Sequence, residues 1–247
     1  VTVSRSDYGL LYWVLHDLQE SPAFRVRLVV TGTHLLREYG QPVDEIIAAG
    51  FEIAARVPMP SLEAGGVTLA RSIARGTTGL AEALDRLAPD LVMVLGDRVE
   101  LLSVAAACCA LQLPIAHFSG GESTEGVIDE QVRHAMTKMA HLHFAAAEAY
   151  ARRLVRMGEE PWRVHTVGDP GLDHFSRGTI PGRAELERDL GIRIAPDAVL
   201  VACHPVTLEG PDTARQIGNL LSAVASRPNQ VIATYPNGDP GSAATAP

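Results

Sequence analysis

Positive charge is in short supply. Lys and Arg total 21 against 29 Asp and Glu, a net charge of −8, and the basic residues form no block. Such a chain is a poor candidate for nucleic-acid or anionic-membrane binding, although a few placed arginines still suffice to hold a phosphorylated ligand. Cysteine is scarce too: Cys108, Cys109 and Cys203 are odd in number and lack CxxC spacing. A disulfide framework is excluded, and Cys108 and Cys109, inside SVAAACCALQL, read as buried thiols of a reducing cytoplasm. The longest apolar run, Leu101 to Leu113, is broken by Ser103 and Gln112 and falls short of the roughly 20 residues that span a bilayer. No signal peptide, GxGxxG, HExxH, DxD or histidine cluster is present, so neither a metal nor another cofactor is expected. The chain opens at Val1 rather than at methionine and closes on GSAATAP. A fragment, or a chain with further segments, is therefore expected.

What is present is a regular alternation. The 247 residues are 47% hydrophobic, enough for one large α/β domain or two smaller ones. Strand candidates are VRLVV (26–30), DLVMVLG (90–96), PIAHFS (114–119), LHFAAA (142–147), RVHTVG (163–168), AVLVACH (198–204) and QVIATYP (230–236). Helical periodicity falls near 8–20, 67–87, 100–112, 130–140, 147–157, 182–190 and 212–226. Strands rich in Val, Ile and Ala without polar alternation suit a parallel sheet covered on both faces. The alternation predicts a doubly wound α/β architecture. Turn residues concentrate in GDPGLDHFSRGTIPGR (168–183), which predicts a boundary between residues 1–168 and a shorter α/β series over 169–247.

In open α/β sheets ligands bind at the carboxyl ends of the strands, and four stretches qualify. SRSDYGLL (4–11) follows an apolar remnant and opens a helix with small residues and Arg5, a setting for phosphate; the plainer reading makes Ser6 or Asp7 an N-cap. VLGDRVE puts Asp97 and Arg98 directly after a strand, where Asp97 either orients chemistry or caps the helix starting near Glu100. SGGESTEGVIDEQVRH places Glu122 after a glycine turn, with Glu125 in the loop and Asp129 and Glu130 opening the next helix. At i,i+4 spacing Asp129 faces Arg133 and Glu130 faces His134. An N-cap and a dipole-favoured first turn also account for Asp129 and Glu130, but for Glu122 less well, since a turn after a buried strand needs no acid. Finally, His204 of ACHPVTLEG ends a strand, and TYPNGDPGS (234–242) adds a loop with Asn237 and Asp239.

Taken in order, these stretches carry a resemblance. SRSDYGLL, VVTGTHL, PDLVMVLGDRVE, PIAHFSGGESTEGVIDEQVRHAMTKMAHLHF, VHTVGDPGLD, CHPVTLE and TYPNGDPGS span nearly the whole chain. The chain resembles the hydrolysing UDP-N-acetylglucosamine 2-epimerases of bacterial sialic-acid synthesis. The resemblance implies a GT-B-like fold, two Rossmann-like parallel-sheet lobes with the ligand cleft between them and the second lobe truncated here. It implies that UDP-N-acetylglucosamine and water become N-acetylmannosamine and UDP, through elimination of UDP and hydration of a glycal-like intermediate. It assigns Asp97, Glu122, Asp129 and His204 to catalysis. Arg5, Ser6, Gly9, Arg98, Glu130, Arg133 and His134 fall to substrate binding, with Glu130 a substitute for Asp129. It further implies a cytoplasmic homo-oligomer. Two departures stand out: Ser119 replaces the family's usual histidine before GGE, and GDPGLD replaces the more usual G.LGLD. A non-hydrolysing epimerase, a hydrolysing enzyme for a related diacetamido nucleotide-sugar and an inactive nucleotide-sugar-binding fragment are the competing expectations.

Overall fold

The computed structural model describes residues 1–36, 42–59, 66–178, 180–203 and 212–234. Strands β1 (Leu28–Thr31) and β2 (Ile53–Val57) pair in parallel. So do β3 (Val92–Leu95), β4 (Ile115–Phe118), β5 (Leu142–Ala145) and β6 (Val164–Thr166), in that spatial order. The apolar remnant at the start joins the two sets. Thr2 N–H donates to the Val29 carbonyl (3.0 Å), Thr31 N–H to that of Thr2 (3.1 Å), and Thr33 N–H to that of Val3 (2.9 Å). On its other side the Val1 nitrogen donates to the Met93 carbonyl (2.8 Å). Residues 1–3 thus occupy the place of a strand between β1 and β3. Counting them as first, the order across the sheet is 3-2-1-4-5-6-7, a doubly wound arrangement whose direction of winding reverses between residues 1–3 and β3. That reversal opens a crevice at the carboxyl ends of those strands.

Helices cover both faces, as strands without polar alternation require. Val29 and Val30 point to opposite sides. Val29 joins a core with Leu80 and Leu84 of α3 (Gly66–Leu87), Leu101 and Val104 of α4 (Leu101–Leu111), and Val132 and Met136 of α5 (Asp129–Met139). Val30 joins Tyr8, Leu11 and Leu15 of α1 (Arg5–Glu20) and Ile46 of α2 (Val43–Ala48), with Phe51, Leu95 and Phe118. On α4 neighbouring side chains lie about 100° apart, so Cys108 is buried while Cys109 is exposed. The expectation of two buried thiols is corrected for Cys109.

The expected strands and helices form, with ends within three residues of those expected and displaced in either direction. α1 begins at Arg5 rather than near residue 8, and β1 runs on to Thr31, whereas β3 starts at Val92 rather than Asp90. Among the described residues, the short 3-10 turns at Gly32–Leu35, Pro161–Arg163 and Pro170–Leu172 were not expected, nor were α2, β2 and α7 (Asp173–Arg177). The last lies inside the turn-rich stretch and owes its order to α1: His174 Nε2 donates to the Gly9 carbonyl (2.7 Å), and Arg177 pairs with both carboxylate oxygens of Asp17 (2.6 and 2.7 Å). α6 (Glu148–Arg156) forms the crossover between β5 and β6, and beyond α7 come α8 (Arg183–Leu190), β7 (Val199–Val201), α9 (Thr213–Ala225) and β8 (Val231–Ala233). β7 and β8 pair in parallel as a separate two-stranded sheet. No helix among the described residues is long and apolar enough to cross a membrane.

Candidate active site

The strand ends at the crevice deliver the acids. Asp97 leaves β3 immediately after Gly96. The Gly96 N–H donates to Phe118 O (3.1 Å), and its carbonyl accepts from Nε2 of the fully buried His117 (2.7 Å). His117 therefore holds the root of the Asp97 loop from the neighbouring strand, and burial pushes its imidazole down to about 4. Asp97 does not cap α4; the cap position is Glu100, and the Asp97 carboxylate instead pairs with Arg133.

Glu122 leaves β4 through Ser119, Gly120 and Gly121. Gly121 (φ +79°) has no room for a Cβ, which would strike the Tyr150 carbonyl of α6, and its own carbonyl accepts from Arg153 (2.8 Å). The turn is clamped from outside, and Glu122 stands at its end, about three-tenths exposed. Arg133 Nη1 reaches Glu122 Oε2 at 3.5 Å while its Nη2 holds Asp97. One buried guanidinium thus gathers two carboxylates from two strand ends. Burial raises the Glu122 carboxyl, Arg133 opposes it, and the charges of Asp169 and Asp97 raise it further. Neighbouring acids and partial burial are what make a carboxylate more basic.

Glu130 has a different setting. Its Oε1 accepts from Ser123 Oγ (2.9 Å) and approaches His134 Nε2 (3.0 Å), and its Oε2 accepts from Thr124 N–H (2.7 Å). These bonds hold its carboxyl below the usual range, against the pull of desolvation. Glu130 and His134 form a clasp between the 123–124 loop and α5, at the expected i,i+4 spacing. Asp129 is the first residue of α5 rather than its N-cap, which is Ile128; Glu125 is exposed.

At the amino terminus the cap is Ser4, not Ser6 or Asp7, and Asp7 completes a capping box. The Asp7 carboxylate accepts from Val3 N–H (2.9 Å), Ser4 N–H (2.6 Å), Ser4 Oγ (2.6 Å) and Thr2 Oγ1 (2.7 Å). With the Thr2 hydroxyl proton given to Asp7, the buried His34 donates Nε2–H to Thr2 Oγ1 (2.9 Å). Arg5 and Ser6 are exposed just above; Arg5 lies 3.8 Å from Glu45 and Ser6 Oγ is 2.8 Å from Ser4 Oγ. Gly9 sits within α1 with open space where a side chain would be. Arg98 turns toward Glu100, at 3.2 and 3.3 Å. His204, and all of the TYPNGDPGS loop but its first residue, lie outside the described residues.

Two residues were not anticipated. Asp169 follows β6, caps a short turn of helix by accepting from Gly171 N–H (2.8 Å), and bears on Glu122. Its place in GDPGLD, where the sequence departs from the usual wording, was the available signal. His117 gave no signal beyond being a histidine in a buried strand.

Known proteins agree with this architecture. Residues 16–246 match the family model described as UDP-N-acetylglucosamine 2-epimerase. A UDP-N,N'-diacetylbacillosamine 2-epimerase (hydrolyzing) of Legionella pneumophila is 36% identical, over 98% of this chain and 64% of its own length. A GDP/UDP-N,N'-diacetylbacillosamine 2-epimerase (hydrolyzing) of Campylobacter jejuni is 32% identical over 97% of this chain and 62% of its own. The chain therefore spans less than two thirds of the length of these relatives. Among solved structures, the UDP-GlcNAc 2-epimerase of Methanocaldococcus jannaschii in complex with UDP-GlcNAc and UDP superposes with TM-score 0.75 at 14% identity, covering 97% of this chain and 65% of that one. The Rickettsia bellii UDP-N-acetylglucosamine 2-epimerase gives 0.73 at 17% identity, covering 94% and 59%. The fold class is α/β and GT-B-like. The chain belongs to the UDP-N-acetylglucosamine 2-epimerase family.

Proposed function

We propose that the protein is a hydrolysing 2-epimerase of UDP-linked 2-acetamido sugars, converting UDP-N-acetylglucosamine and water into N-acetylmannosamine and UDP. The observation that carries the reading is the Asp97–Arg133–Glu122 cluster at the carboxyl ends of β3 and β4. Carbon 2 of the sugar is weakly acidic, so its proton needs an acceptor of raised proton affinity, and Glu122 has one. Glu122 takes that proton, the electron pair forms the carbon 1–carbon 2 double bond, and the carbon 1–oxygen bond breaks with its electrons passing to UDP. Water then adds to carbon 1, and a proton returns to carbon 2 on the opposite face. Asp97 and Asp129 complete the acid set, and His204 and the arginines meet the departing diphosphate's growing charge. The same reading includes a cytoplasmic homo-oligomer that needs neither metal nor other cofactor.

A second reading takes UDP-N,N'-diacetylbacillosamine as the sugar, favoured by the printed names of the Legionella and Campylobacter relatives. Both are decided together by incubating the full-length protein with each nucleotide-sugar in heavy water and following products by NMR. We expect free sugar, UDP and deuterium at carbon 2. Release of UDP without label rules out the elimination. A product still carrying UDP makes the enzyme non-hydrolysing, and binding without turnover makes it a nucleotide-sugar-binding module.

A further inference from the structure

Glu100 is a carboxylate that the reaction above does not use. It has no exposed surface (0%), although it stands only three residues from Asp97. Its Oε1 accepts from Arg98 Nε at 3.3 Å and Nη2 at 3.2 Å. Its Oε2 is buried and without a hydrogen-bond partner among the described residues. The space around it is made by Gly32 (φ +57°), where a Cβ would strike the Val3 carbonyl and come within 3.1 Å of Glu100 Oε1. Glu100 therefore lies beneath the chain reversal, between the exit of residues 1–3 and the exit of β3. Burial raises its carboxyl and Arg98 pulls it back.

A buried ion pair with one oxygen unsatisfied is a poor device for stability. Desolvating both charges costs several kcal/mol, and well-packed apolar residues generally do as well. It is a good device for orientation, because two bonds from one carboxylate oxygen fix a planar guanidinium. Arg98 is held partly exposed, about one-fifth of its side chain, on the segment that leaves the carboxyl end of β3 next to Asp97. A guanidinium at the carboxyl end of a parallel strand, where open α/β sheets bind ligands, suits an anion.

We propose that Glu100 is a positioning residue that aims the Arg98 fork at the diphosphate of the nucleotide-sugar. The inference rests on the functional reading above. It is tested on the full-length protein by a cycle of R98M, E100Q and R98M/E100Q, measuring UDP affinity by calorimetry and melting temperature alongside. E100Q is expected to weaken UDP roughly tenfold, the scale of a charge-assisted hydrogen bond. R98M weakens it at least as much, and the double variant is no weaker than R98M, because Glu100 acts only through Arg98. If E100Q alone does not fold, R98M/E100L removes both charges at once, and its UDP affinity is expected to equal that of R98M. Normal affinity in E100Q, or losses that add in the double variant, overturns the inference while leaving the epimerase reading standing. A parent protein that neither binds UDP nor acts on its sugars overturns the epimerase reading and this inference with it.

Discussion

At the scale of single residues, the division of labour among the acids of SGGESTEGVIDEQVRH is set by what each carboxylate touches. Glu130 is tied to a loop, whereas Glu122 meets a shared arginine and two other acids. Glu122→Gln keeps the shape and removes the proton acceptor. It is expected to lower turnover at least 10³-fold, within the range of general acid–base catalysis, with UDP affinity within about threefold of the parent. Near-normal turnover in steady-state assays would reassign the base. Arg133→Met tests the electrostatics. The guanidinium lowers a Glu122 carboxyl already raised by burial, so its loss raises that carboxyl further. Because the base must be ionised, the acid limb of kcat/KM moves to higher pH in the residual activity; an unmoved or downshifted limb means another group sets it. Glu122 was legible in the sequence as an acid that a turn does not need. The pairing of Arg133 with Asp97 was not, because a 36-residue separation has no periodicity to reveal it. His117 escaped for a related reason: a buried histidine announces its partner only when the neighbouring strand is known.

At the scale of elements, the long helices and buried strands were readable because periodicity and length agree over many residues. β2 and α7 were not, since IAARV and DHFSR are short and depend on tertiary partners. The N-cap of α1 was misplaced by two or three residues because Ser4, Ser6 and Asp7 are all good caps; the geometry chose Ser4, whose neighbours Thr2 and Val3 are pinned by Asp7. Two glycine substitutions separate elements that carry the site from elements that border it. Gly121→Ala forces a Cβ into the α6 backbone at a left-handed position, so the β4 exit must shift. Turnover is expected to fall about 100-fold, the scale of a 1 Å misplacement. Gly9→Ala meets nothing within 4 Å and should stabilise α1 by about 0.5–1 kcal/mol. Calorimetric melting and UDP titration together give the answer: a higher melting temperature with weakened UDP puts Gly9 at the ligand, while unchanged affinity removes it from the binding set.

At the scale of the whole molecule, the sheet's order does what no single motif does. Residues 1–3 look negligible in the sequence, three residues before a serine, yet they sit between β1 and β3 and create the reversal at which the loops of Arg5, Asp97 and Glu122 can share one crevice. A doubly wound fold was readable from alternation alone, but the strand order was not, because helical crossovers of similar length permit several. The order makes a spatial prediction. With UDP-N-acetylglucosamine bound to the inactive Glu122→Gln variant of the full-length protein, amide exchange should slow at residues 4–9, 96–100 and 120–123 together, since one ligand in one crevice covers three loops far apart in sequence. Ligand binding at a hundredfold excess over Kd adds roughly 2.7 kcal/mol to stability, enough to slow exchange through global opening about a hundredfold. The amides named here must therefore show protection beyond any uniform slowing of the buried strands. Uniform slowing alone, or protection at only one of the three loops, would show that the crevice is not where the sugar is held.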